Sequence, residues 1–231
     1  MARARQPRIL DRVRCVVLVL AAIARLAAPA HADDAAAIAK AAPSCDAERA
    51  HCFAIQFHIA GDDHGLVATG EWIAKQLAGA NRHFAPLDVG YQLAGVDALP
   101  ASAMHVETRA DRDALAENRL GGKLIHVFIV GQLDDVDNEG SIAYGVTWRR
   151  PHDSRRYLIV SVQALERTLA HELGHFFGLS HSSYAVSIMN KTDRTEPPVD
   201  QRTFADEEIA AMRPVLERLL RGKVIVAVPK R

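Results

Sequence analysis

Hydrophobic positions alternate most cleanly over residues 53–60. Phe53, Ile55, Phe57 and Ile59 share one side there, the two-residue period of a strand with one buried face. The run GDDHG at residues 61–65 breaks the pattern. Helical spacing then takes over to about Ala80, with Leu66, Ile73 and Leu77 on one side and Trp72 beside them. Residues 88–93 read as a second strand, and the mixed stretch 97–122 holds a short helix expected around residues 111–118. Residues 124–130 form an apolar run rich in β-branched side chains between Gly122 and Gly131, as a central strand covered on both faces requires. Residues 142–148, with Gly145 inside, read as an edge or bulged strand, and residues 157–162 as one more. Two helices complete the pattern, over about residues 164–177 and 206–220. This order, without repeats or long linkers, predicts a single α+β or α/β domain with a smaller part after Gly178.

Composition adds a compartment to that picture. The chain has 231 residues, 49% of them hydrophobic, enough for one domain with its own core. Residues 1–32 carry six arginines against the single acid Asp11. Setting them aside turns 28 basic and 28 acidic residues into 22 and 27, a net charge of −5. A mildly acidic body gives no electrostatic reason to expect nucleic acid as a partner. The same segment has the layout of a secretory signal: a basic start, an apolar run over residues 15–24, and Ala30-His31-Ala32, a cleavage pattern that would leave Asp33 first. The apolar run is too short to span a bilayer comfortably. The remaining chain is therefore expected to be secreted or periplasmic, monomeric and without a stable membrane span; the alternative is an uncleaved anchor. Cys15 leaves with the signal, and the remaining pair, Cys45 and Cys52, reads as a small disulfide loop in an oxidising compartment.

The chemistry concentrates in one stretch. His171-Glu-Leu-Gly-His175 places two imidazoles four residues apart, on one face of a helix and close enough to chelate one ion. Glu172 sits about 100° round that helix, where its carboxylate reaches a water held by the metal rather than the metal itself. Gly178 allows a sharp turn that returns His181 as a third nitrogen ligand. Three protein ligands leave one position open, the mark of a catalytic rather than a structural zinc site. Zinc there would acidify its water, with Glu172 accepting the proton and delivering it to a departing amine.

His171-Glu172-x-x-His175-x-x-Gly178-x-x-His181, followed by Ser187-Ile188-Met189-Asn190, resembles the zinc motif and Met-turn of the metzincin metalloproteases. Ser182 after the third histidine and the spacing to Met189 resemble the matrixins among them. The resemblance implies an α+β fold: a twisted mixed sheet, an active-site helix and a small C-terminal subdomain, with Met189 as a hydrophobic floor beneath the zinc. With the signal segment (1–32) and a short extension (33–50) set aside, it implies a catalytic domain (51–231) with an upper part to about residue 178 and a lower part beyond it. It implies a zinc-dependent endopeptidase acting on proteins or peptides. Beside it stand a non-catalytic zinc-binding module and a metallo-amidase acting on cell-wall material; the intact Glu172 and ligand set favour an active enzyme. The chain departs from the matrixins in lacking their cysteine-containing latency sequence, and no tyrosine follows the Met-turn.

Secondary candidates have weaker support. The acidic loop of Asp134, Asp135, Asp137, Asn138 and Glu139 offers oxygen ligands for calcium, without full EF-hand spacing. Residues 142–148 match the edge strand to which substrate would add by main-chain pairing, and residues 190–203 are expected to shape the adjoining pocket. Cys45 as a thiolate cap on the zinc is the alternative to its disulfide. Tyr184 reads as a wall or surface residue, with a contact to the reaction as the alternative, and His58 and His126 read as satisfied core or face residues rather than ligands.

Overall fold

The computed structural model describes residues 31–151, 153 and 155–229. The expected signal segment falls outside that description except for His31 and Ala32. Five helices and eight strands follow in the order α1 (Ala32–Ala41), β1 (His51–Asp62), β2 (Gly65–Leu66), α2 (Gly70–Phe84), β3 (Val89–Leu99), β4 (His105–Val106), α3 (Arg109–Leu115), β5 (Ile125–Val130), β6 (Gln132–Leu133), β7 (Gly145–Arg149), β8 (Arg156–Ser161), α4 (Thr168–Phe176) and α5 (Asp206–Arg221). The class is the α+β arrangement predicted from sequence.

β1 lies inside a mixed sheet, between β3 and β5, both parallel to it. β8 continues the sheet in parallel, and β7 closes it antiparallel at the edge. Helices α2 and α4 cover one face. There Ile55, Phe57, Ile73, Leu77, Leu169 and Leu173 join one buried cluster. The opposite face is also covered, around Phe128, Tyr157, Ile159, Leu99 and Leu115.

That second layer corrects the expectation that β1 is half-buried. On that face Ala54, His58 and Ala60 are all enclosed: the polar His58 is 1% exposed and stacks on Phe128 at 4.6 Å. Its Nε2 meets His126 Nδ1 at 3.0 Å, and His126 Nε2 lies 2.8 Å from the Gly121 carbonyl. Polar residues on an alternating strand are commonly solvated, but here hydrogen bonding within the pair makes burial tolerable.

Several boundaries move for local reasons. Leu66 pairs in β2 with Gly61, and α2 begins only after Thr69, whose hydroxyl accepts from Trp72 N at 3.2 Å. Within the expected extension, α1 packs on α2. A Cβ on Gly70 would lie 2.9 Å from the Ala37 carbonyl, so only glycine allows this approach. Cys45 and Cys52 form a disulfide with a Cα separation of 6.1 Å. It is buried beside Gly90 on β3, so Cys45 is not the alternative thiolate cap.

Two ties position α4 against the rest. Gln76 on α2 donates to the Leu165 carbonyl at 3.0 Å and accepts from Leu169 N at 3.1 Å, bracketing the start of α4. Beyond α4, Phe177 packs between Phe84 and Phe53, with ring centroids 5.6 and 6.4 Å away. The chain then turns at Gly178, whose φ of 94° favours glycine, and returns through a loop to α5.

Candidate active site

α4 carries His171 and His175 on one face, and the turn at Gly178 brings His181 back to meet them. One ring nitrogen from each lies within 4.8 Å of the others. His171 Nδ1 lies 2.8 Å from the Ile188 carbonyl, and His175 Nδ1 lies 2.7 Å from the Leu179 carbonyl. A carbonyl only accepts, so each Nδ1 carries the proton and each Nε2 keeps its lone pair for the shared centre. His175 Nε2 and His181 Nε2 face each other at 3.2 Å. Two nitrogens each about 2.05 Å from one tetrahedral zinc would stand about 3.3 Å apart, so this pair fits that ion.

Electrostatics keep the imidazoles neutral. Burial holds His171 down to about 4 and also lowers His175. His181 is likewise held near 4, by burial first and then by the Lys191 ammonium. Neutral rings are the metal-binding form.

Glu172, next to His171 on α4, lines the same cleft and is 3% exposed. Burial pushes its carboxyl up to about 7, against the opposing pull of Thr147 and Lys191. The Thr147 hydroxyl lies 2.6 Å from the Glu172 carbonyl oxygen and 3.0 Å from Oε2, linking β7 to α4. Gly145 makes this approach possible: a Cβ there would lie 2.9 Å from both Cγ and Oε1 of Glu172. Sequence patterns marked Gly145 only as a bulge and did not single out Thr147, because a strand's contacts with a distant helix leave no periodic signal.

Met189 is fully buried and lies against α4, where a Cβ on Gly174 would come 2.8 Å from its sulfur. The turn around it is fixed by Ser187, which accepts from Met189 N at 2.8 Å and donates to the Glu208 carboxylate on α5. A cleft of about 840 Å³ opens over the three histidines, with β7 on one side and the loop after Met189 on the other. β7 pairs only with β8 among the described strands, which leaves its other edge free. Tyr184 is exposed and outside the cleft lining.

The calcium expectation finds no support. Asp134 accepts from His105 and Gln132, Asp135 from Asn138, and Asp137 pairs with Arg109. These carboxylates serve protein partners, and among the described residues the histidine triad is the one such group that could hold a metal ion.

A helix-borne histidine pair, a third imidazole after a glycine turn and a buried glutamate beneath a sheet edge meet in one cleft, an arrangement that could hold a metal ion beside a carboxyl. The sequence pattern of the matrixin family, peptidases M10, matches residues 49–213 of the chain. The protein belongs to that family, and is a zinc metallopeptidase of the metzincin type. Among solved structures it is similar to archaemetzincin from Methanopyrus kandleri, at 16% identity and a TM-score of 0.52, over 75% of this chain and 100% of that one. Metalloproteinase-II from Bacteroides fragilis aligns at 14% identity and a TM-score of 0.49, over 77% of this chain and 60% of that one. No curated protein sequence matches significantly. Among the described residues, no helix is long and apolar enough to cross a membrane.

Proposed function

We propose that the protein is a zinc-dependent endopeptidase in which His171, His175 and His181 hold the metal and Glu172 is the general base. The observation that carries this reading is the convergence of three neutral imidazoles, two of them fixed through Nδ1, beside a buried carboxyl. When bound, zinc supplies Lewis acidity to a carbonyl and acidifies water. Glu172 takes a proton from the attacking water and returns it to the departing amine nitrogen. A carboxyl held near 7 suits both transfers at neutral pH. Met189 serves as the floor of the site. The free edge of β7 offers main-chain groups to an extended peptide lying across the cleft, which favours cleavage within a chain.

Export completes the proposal: residues 1–32 are removed as a signal, and the Cys45–Cys52 disulfide suits an oxidising compartment. The test is zinc content together with cleavage of an undirected peptide library by the purified protein. Wild type is expected to bind one zinc and cut internal bonds, and to stop when chelated. Glu172→Ala should keep the zinc and lose about 10²- to 10⁴-fold in rate. Zinc binding without cleavage of any peptide overturns the reading.

A further inference from the structure

We propose that Arg167 and Arg202 form a subsite for a carboxylate side chain, so that cleavage is directed to bonds close to an aspartate or glutamate of the substrate. This inference rests on the peptidase reading above and adds the substrate class to it.

Charge distribution is the first support. The chain as a whole balances 28 basic against 28 acidic residues. The cleft does not: Arg149, Arg156, Arg167, Lys191, Arg194 and Arg202 line it, against Asp135, Glu172 and Asp193. None of those six cations is ion-paired among the described residues. The arginines that do hold carboxylates, such as Arg82, Arg109, Arg150 and Arg155, lie elsewhere.

Hydrogen bonding separates the cations that frame the cleft from those free to bind. Arg194 donates to the carbonyls of Ala185, Ser187, Asn190 and Thr192, which commits its guanidinium to the loop. Arg202 donates from Nε to Pro197 O at 3.0 Å and from Nη2 to Arg194 O at 2.6 Å, which leaves Nη1 unengaged. Arg167 donates to no group among the described residues and is only half-buried. These three guanidiniums crowd one another: burial, then Arg202 and Arg194, hold Arg167 below its ordinary range. All three stay charged at any working pH. A crowded set of half-buried cations without an anion is relieved by an incoming carboxylate, and the planar fork of arginine matches that group with two parallel hydrogen bonds.

Position gives the subsite its place relative to the cut. Arg167 precedes His171 by four residues and so lies on the same helical face, about 6 Å along the axis. Extended peptide advances about 3.4 Å per residue, so the recognised side chain belongs to a residue within about two positions of the scissile bond. A carboxylate at that distance could also be the end of a peptide chain, and the test separates the two sources.

The experiment uses zinc-loaded protein and matched peptides carrying Glu or Gln at each of the two positions on either side of the cut, with free or amidated C-termini. Wild type is expected to show kcat/KM about 10- to 100-fold higher for Glu than for Gln at one position, with the amidated peptides cut equally well. Arg167→Gln and Arg202→Gln each lower that ratio, the double variant brings it near one, and Arg167→Glu turns the preference towards Lys. Because the readout is a ratio within one protein sample, partial misfolding of a variant cancels. Equal cleavage of Glu and Gln peptides by wild type overturns the inference and leaves the peptidase reading standing. A preference only for the free C-terminus also overturns it. If no peptide is cut, it is the peptidase reading that fails.

Discussion

Gly145→Ala probes the contact between β7 and the proposed general base. The added methyl would sit 2.9 Å from Glu172 Cγ, Glu172 Oε1 and Thr168 Cγ2. Ordinary carbon contacts begin near 3.5 Å, so each of these gaps is short by about 0.6 Å. Gly145 is not among the positive-φ glycines, so the backbone accepts alanine and the clash is the whole effect. Glu172 is 3% exposed, so the only space its carboxyl can turn into is the cleft it lines. Either β7 retreats or the carboxyl turns. Overpacking of this kind costs about 1–3 kcal/mol, with a fall in Tm of about 2–4 °C for each kcal/mol in a domain of this size. Displacing a catalytic group by about 1 Å costs on the order of 100-fold in rate. Zinc affinity should hold, because the Ile188 and Leu179 carbonyls that orient His171 and His175 are untouched. The assay combines a thermal melt, a zinc competition titration and peptide hydrolysis. A variant with wild-type kcat/KM and Tm refutes the reasoning, as does one whose activity falls only because zinc is lost.

Thr147→Val removes the hydroxyl that opposes the effect of burial on Glu172, so the carboxyl rises above about 7. The acid limb of the pH profile of kcat/KM should move up by about one pH unit, and an unmoved limb counts against Thr147 as a positioning residue. His83 is buried and held near 4, below its unfolded value of 6.5, by burial and then by Arg82 and Arg167. A depressed folded pKa gives stability that is complete above pH 6.5 and lost as pH falls towards 4, by up to about 3 kcal/mol. His83→Leu should flatten the pH dependence of urea stability across that window; an unchanged slope excludes His83 as its source. Replacing Cys45 and Cys52 together by serine should lower stability by about 2–3 kcal/mol for so short a loop. Since neither residue lines the cleft, kcat/KM should stay at the wild-type value, and a drop there would contradict the placement.

What could be read in advance was whatever the chain writes locally. His171, Glu172, His175, Gly178 and His181 span eleven residues, and helical geometry plus one turn is enough to bring them together. β5, β8, α4 and α5 were legible from runs and periods of similar length. The partners of Glu172 were not, because Thr147 and Gly145 reach it across a sheet edge, from 25 and 27 residues away. β1 was misread for a related reason. The alternation of β1 says nothing of a second covering layer, and His58 is enclosed only once Phe128, His126 and the Gly121 carbonyl are placed around it. The helix of residues 32–41 has too little apolar contrast in its alanines to announce itself, and gains its place by packing on Gly70. Arg167, Arg194 and Arg202 are scattered over 36 positions and meet only in the fold.

The loop between Met189 and α5 is held by two side chains. Arg194 reaches the carbonyls of Ala185, Ser187, Asn190 and Thr192, and Arg202 adds those of Pro197 and Arg194. Carbonyl oxygens are the same whatever residue bears them. The wall of the cleft is therefore indifferent to most of its own side chains, provided the two arginines stay. Residues such as Thr192 and Asp193 can be exchanged without disturbing the histidine helix, which makes this wall the natural place to graft a new cleavage preference onto an unchanged helix.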